Sequence, residues 1–160
     1  MKTRLLATAD RAEWMRLLFG LYPDSTEADH APSVDAYLAG RQIGELIPSA
    51  VFVVERSDGR LGGFLELSVR NYAEGCTGDT PYVESWFVDE DLRGSGAGRS
   101  LITAAEIWAR EHGYTELASD ALLDNVNSHA AHRALGFEEV ERAVHFRKAL
   151  SDVASAGSPT

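Results

Sequence analysis

A single cysteine, Cys76, stands in the 160-residue chain, which excludes an intrachain disulfide and a cysteine-based zinc site and suits a reducing compartment. No apolar run approaches the roughly 20 residues that cross a bilayer. The opening MKTRLLATADRAEW turns polar after a few apolar residues and lacks the hydrophobic stretch of a secretion signal. A cytoplasmic location is therefore expected. Five histidines without clustered acidic partners imply no metal site. Basic residues are also scarce: 15 Lys and Arg face 25 Asp and Glu, for a formal charge of -10. That balance repels nucleic acid and anionic membranes and attracts cations, so neither a nucleic acid nor a membrane partner is expected. A cationic substrate fits it, as does an acidic surface kept for solubility.

What is present is ordinary for one globular unit: 44% hydrophobic and 25% charged residues. Residues 1–150 read as one domain, and SDVASAGSPT, 151–160, reads as a disordered polar tail. Lys2 to Ala7 is a predicted strand, followed by a helix from Thr8 through Gly20 with Trp14, Leu17 and Leu18 on one stripe. The proline-bounded stretch Leu21 to Pro32 reads as a loop before a helix capped by Ser33 and closing near Gly44. Ala50 to Glu55, Leu61 to Arg70 and Tyr82 to Val88 follow as strands, the first two joined by the turn SDGR. Alternation along the last of these puts Glu84 on one face with Tyr82 and Trp86. A long helix spans Gly96 to Glu111, then come a strand at Thr115 to Ser119 and a helix from Asn127 to Leu135 stopping at Gly136. Two final strands, near Phe137 to Glu141 and Val144 to Lys148, complete a mixed α/β (α+β) sheet of six to seven strands with about four helices.

DEDLRGSGAGRSLI, Asp89 to Ile102, places small residues where a strand gives way to that long helix. Such a turn lets a ligand approach the backbone, and the helix start directs free NH groups at an anion, phosphate above all. A P-loop fails here, because Arg93 and Arg99 occupy the first glycine and lysine positions. The dinucleotide pattern fails too, since Gly94-x-Gly96 meets Arg99 and Gly96-x-Gly98 meets Leu101. The stretch does match Arg-x-x-Gly-x-Gly/Ala, as Arg93-Gly94-Ser95-Gly96-Ala97-Gly98. With YVESWFV before it and Asn125-Val126-Asn127-Ser128 leading to His132-Arg133-Ala134-Leu135-Gly136-Phe137, the chain resembles the GNAT superfamily of N-acetyltransferases. Within it, Leu21-Tyr22-Pro23, Val69-Arg70-Asn71-Tyr72, Gly75-Cys76, Glu84, Ala118-Ser119-Asp120 and Phe137-Glu138-Glu139 resemble the aminoglycoside 6′-N-acetyltransferases, although Asn71 stands where members often carry an acidic residue.

The resemblance implies a GNAT fold split between strands 4 and 5, acetyl-CoA as donor, a polycationic aminoglycoside as acceptor, direct transfer and a homodimer. Other acceptors on the same fold, a polyamine or a protein N-terminus, stay open, as does a non-catalytic coenzyme A sensor. By resemblance, main-chain groups of Phe87 and Val88 hold the pantetheine arm, while Arg93, Gly94, Ser95, Gly96, Ala97, Gly98 and Arg99 hold the pyrophosphate. Arg99 reads equally as a solvated helix residue. Asn125, Ser128 and His132 belong to the second coenzyme motif. Asp120 is the expected substrate anchor and base, and Glu84 a second base or a carboxylate paired with an arginine. Tyr22, Tyr72 and Trp14 are expected either to pack against the acceptor's sugar rings or to serve core or lid packing, and Glu139 and Asp124 are weaker acceptor contacts. His132 is the expected proton donor to the leaving thiolate, as imidazolium or as a neutral donor, because its usual pKa of about 6.5 lies below that of a thiol near 8.5. His129 and Cys76 are given no catalytic role.

Overall fold

β-Branched and leucine-rich segments pair into one sheet in the order β1-β2-β3-β4-β5, in a computed structural model that describes residues 1–41 and 47–150. β1 (Lys2–Leu5), β2 (Ala50–Glu55), β3 (Leu61–Arg70) and β4 (Thr80–Val88) run antiparallel, and β5 (Ala118–Ser119) lies parallel to β4. A parallel neighbour needs a crossover, and the helix α3 (Ala97–Glu111) supplies it.

Each face of the sheet buries its own core. On one side α1 (Arg11–Leu21) and α2 (Glu27–Leu38) cover Val51, Val53, Leu61 and Phe64, with Trp14, Leu17, Leu18 and Val34 closing the layer. On the other side α3 lays Leu101, Ile102 and Ala105 over Phe52, Val54, Leu65, Leu67 and Val83, and Leu135 at the end of α4 (Val126–Ala134) joins them. Alternation along β2 and β3 decides which residue goes to which layer. Trp14 is buried and meets the ring of Tyr37 edge-on at 5.6 Å, so it is a core residue.

The mixed sheet, its split and the four flanking helices agree with the sequence reading, but several boundaries differ. α2 starts six residues before Ser33, because Thr26 and Asp29 cap it: the Thr26 backbone NH donates to Asp29 Oδ2 at 2.8 Å and its hydroxyl at 2.7 Å. Pro32 lies inside this helix and forfeits one backbone bond near its start. Gly44 lies outside the described residues. β5 has two residues where five were expected, and residues 137–150 form no strand. Their alternation resembles a strand, yet so short a β5 offers no ladder for a sixth to follow. Val144 and Phe146 remain exposed there.

The alternation of β4 also breaks. Glu66 of β3 pairs with Ser85 and Leu67 with Val83, so Glu84 is an extra residue, a bulge. Ser85 and Phe87 therefore face α1 and α2, and Trp86 turns to the α3 side against Gly98, not to the side of Glu84 as expected. The end of β4 is then tied down by Asp89, which accepts from Arg16 of α1 at 3.0 Å and from Arg56 beyond β2 at 2.9 Å.

β3 and β4 pack closely enough that a Cβ on Gly63 would fall 2.8 Å from the Phe87 carbonyl oxygen and 3.3 Å from Val88 Cα. These are backbone atoms that move only with the strand. Gly63→Ala is expected to lower stability by about 2 kcal/mol, read as a reduced urea midpoint with unchanged slope.

Candidate active site

β4 and β5 pair only at Tyr82 with Ala118 and Val83 with Ser119. From Glu84 onward β4 keeps β3 on one edge and has no strand on the other among the described residues. This opens a split through the sheet beside Phe87 and Val88, with the glycine turn at its far end. Arg93 Nε donates to the Val88 carbonyl at 3.2 Å, so that acceptor is already engaged.

Gly94 and Gly96 hold φ at 75° and 91°, a region that residues with a Cβ rarely enter. The Ser95 NH and hydroxyl both turn back to the Leu92 carbonyl, at 3.2 and 2.6 Å, so Ser95 builds the turn and does not present its NH outward as expected. The first bond into α3 runs from the Ser100 NH to the Gly96 carbonyl. The NH groups of Ala97, Gly98 and Arg99 thus stand free at the positive end of a 15-residue helix. Beside them the Trp86 indole NH is buried without a partner among the described residues, and a Cβ on Gly98 would lie 3.0 Å from that ring. Free donors, a helix end and a side-chain-free approach fit a diphosphate ligand. Arg99 reaches the Ala134 carbonyl at 3.2 Å and ties α3 to the end of α4.

His132 of α4 lies on this side of the split. Its Nδ1 is 2.8 Å from the Ser128 carbonyl, which only accepts, so Nδ1 carries the proton of the neutral ring. Nε2 then accepts from the Ser119 hydroxyl at 2.8 Å. Trp86 and Phe137 meet the ring edge-on at 5.4 and 5.2 Å. Asn125 accepts from the Ser128 NH at 3.1 Å as the cap of α4, and His129 Nε2 reaches the Leu122 carbonyl.

The opposite side is acidic. Glu84 accepts both ends of Arg70, Nε at 2.8 Å and Nη2 at 2.6 Å, and the Ser68 hydroxyl as well. The arginine pairing weighed in the sequence is what forms. The same guanidinium stacks 3.5 Å over the Tyr82 ring. Burial, and next the charge of Asp120, push the Tyr82 hydroxyl up to about 12. Asp120 is exposed just past β5, and no side chain donates to it among the described residues. Asp120, Glu84, Arg70 and Tyr82 thus form one cluster at the mouth of the split.

The other expected acceptor contacts are dispersed. Tyr22 ends α1 with its hydroxyl 3.2 Å from Ser85 Oγ, while Tyr72 projects 68% exposed from the loop after β3. Asp124 is exposed on the loop before α4. Glu139 lies beyond α4 between Arg142 at 2.5 Å and Arg133 at 2.7 Å, which hold its carboxyl down to about 2. Sequence reasoning missed Glu66, Ser68, Ser85 and Ser119 as site residues. Glu66 carried a signal, being the lone charge in the apolar run LGGFLEL. Burial pushes its carboxyl up to about 7; Ser85 and Trp14 pull it back, and the Glu84 charge adds to the rise. Among the described residues no group of three or more His, Cys, Asp and Glu is placed to hold a metal, and no helix is long and apolar enough to cross a membrane.

The profile of the acetyltransferase (GNAT) family matches residues 11–137. The chain belongs to that family. It is closely related to the aminoglycoside 6′-N-acetyltransferases. An aminoglycoside N(6′)-acetyltransferase type 1 of Klebsiella aerogenes is 41% identical over 148 residues, covering 92% of this chain and 95% of that one. A protein of the same name from Acinetobacter haemolyticus is 37% identical over 94% of this chain and 99% of its own. Among solved structures, AAC(6′)-Iy in complex with the bisubstrate analog CoA-S-monomethyl-acetylneamine superposes with a TM-score of 0.82 at 30% identity, over 93% of this chain and 98% of that one. The glycine turn and the split are thus those of a GNAT acetyltransferase.

The raised carboxyl of Glu66 sets a pH dependence. Because the folded state holds this proton more tightly than the unfolded chain, stability falls as pH rises from about 4.5 toward 7 and stays lower above it. Glu66→Gln is therefore expected to be more stable than the parent by about 2 kcal/mol at pH 8, with the advantage gone below about pH 4. Urea midpoints measured across that range check both the sign and the window.

Proposed function

We propose that the protein is an acetyl-CoA-dependent N-acetyltransferase that acetylates the 6′-amine of aminoglycosides by direct transfer. The observation that carries this reading is the two-sidedness of the split: free NH donors and His132 on the α3–α4 side, and Asp120 with the Glu84–Arg70 cluster on the other. Relatives that bear aminoglycoside acetyltransferase names over nearly their whole length support the choice of acceptor. When bound, acetyl-CoA supplies an activated thioester carbonyl. The NH groups of Ala97, Gly98 and Arg99 would hold its diphosphate, with the Trp86 NH and the open edge of β4 beside the rest.

The two carboxylates divide their work. Glu84 is held by Arg70 and Ser68, so its oxygens are already engaged and it shapes the site. Asp120 is free to receive an ammonium and then its proton, leaving the amine neutral for attack. His132 donates a proton from Nε2 only in its charged form, since the neutral ring keeps its hydrogen on Nδ1 against Ser128. Ser119 lies on that path.

Thiol release from acetyl-CoA with kanamycin, tobramycin, spermidine and a peptide panel tests the acceptor class: turnover with the aminoglycosides is expected, and turnover with peptide alone would overturn it. Asp120→Asn should lower kcat/KM for kanamycin by about 100- to 1,000-fold, with acetyl-CoA binding unchanged. An unaltered rate removes Asp120 from the mechanism.

A further inference from the structure

Among the described residues Glu66 is a carboxylate with no counter-ion. It lies on β3 opposite Ser85, on the face that also carries Ser68 and Glu84. Its neighbours Leu65 and Leu67 are fully buried in the other layer, yet Glu66 keeps part of its surface accessible. The groups facing it come from three elements: Trp14 from α1, Tyr37 from α2, and Ser85 and Glu84 from β4. Among the described residues none of these is a cation, and Arg70 on this face is spent on Glu84.

Two polar groups here, the Glu66 carboxyl and the Trp14 indole NH, remain unmatched among the described residues. The Trp14 indole NH is buried without a hydrogen-bond partner although its residue is only 1% exposed. Trp14 and Ser85 approach the Glu66 carboxyl closely enough to ease its ionisation, without closing bonds of normal geometry. Ser85 instead shares its hydroxyl with Tyr22 at 3.2 Å, and Tyr22 reaches the surface at the end of α1. A deep, reachable, unpaired carboxylate sits one strand from the pinned Glu84.

We propose that Glu66 is an ammonium subsite for the acceptor, taking a second amine of a polycationic ligand between β3, Ser85 and the Tyr22 hydroxyl. The inference rests on the acceptor class proposed above and extends it. An ammonium here supplies the cation that the chain does not, and the ionised carboxylate gains the Trp14 NH as a further donor. Burial otherwise keeps much of Glu66 protonated near pH 7. Binding therefore converts Glu66-COOH and R-NH3+ into a Glu66-COO−/R-NH3+ pair plus one proton released to solvent.

The test is isothermal titration calorimetry of kanamycin into the full-length protein and Glu66→Gln at pH 7, in two buffers of different ionisation heat. The parent is expected to release part of a proton. Glu66→Gln should bind kanamycin about tenfold more weakly, without that release, and bind acetyl-CoA as before. Equal kanamycin affinity and equal proton release in the variant overturn the proposal, as does a parallel loss of acetyl-CoA affinity. A parent that does not bind kanamycin sinks both this proposal and the acceptor class. If the parent binds with Glu66-dependent proton release but transfers no acetyl group, the subsite stands and the enzymatic reading fails; normal turnover by Glu66→Gln at unchanged KM does the reverse.

Discussion

One extra residue in β4 governs the arrangement of everything around it. With Glu84 bulged out between Val83 and Ser85, the strand keeps its pairing with β3 and changes which side chains face which layer. Trp86 swings under the glycine turn, Ser85 swings toward α1, and Glu84 lands within reach of Arg70. Pairing with β5 ends at Val83, the residue before the bulge. The split that both ligands would share begins at the same place.

The charges follow from that geometry. A net charge of -10 says only that cations are welcome. The structure sorts the carboxylates by what already holds them. Glu84 and Glu139 are paired with arginines, Asp120 is open to solvent, and Glu66 has no counter-ion among the described residues. Chemistry at a carboxylate depends on this sorting more than on proximity, because oxygens already accepting from a guanidinium have fewer positions left for a ligand.

The parts legible in the sequence were those written in local chemistry. β-Branched runs marked β2 and β3, helical spacing marked α1 and α3, and the positive-φ glycines marked the turn at Gly94 and Gly96. What stayed hidden depended on partners distant in the chain. The start of α2 was masked by Pro32, whose cost is small beside a well-made cap at Thr26. The bulge leaves no compositional trace, so strict alternation put Trp86 on the wrong side. Two closing strands were inferred from a pattern that the short β5 does not complete. In the candidate site, the places of Asp120 past β5 and His132 on α4 followed from their motifs, whereas the neighbourhoods of Ser119, Ser85 and Glu66 emerge only when β3, β4, β5 and the helices meet.

Asp89 adds a mechanical coupling. Arginines from α1 and from beyond β2 grip the carboxylate at the very end of β4, just ahead of the bend into α3. The strand cannot tilt there without drawing on α1 and on the segment that follows β2. Both sides of the split are therefore hung from a common post, and slack introduced at that post reaches both together.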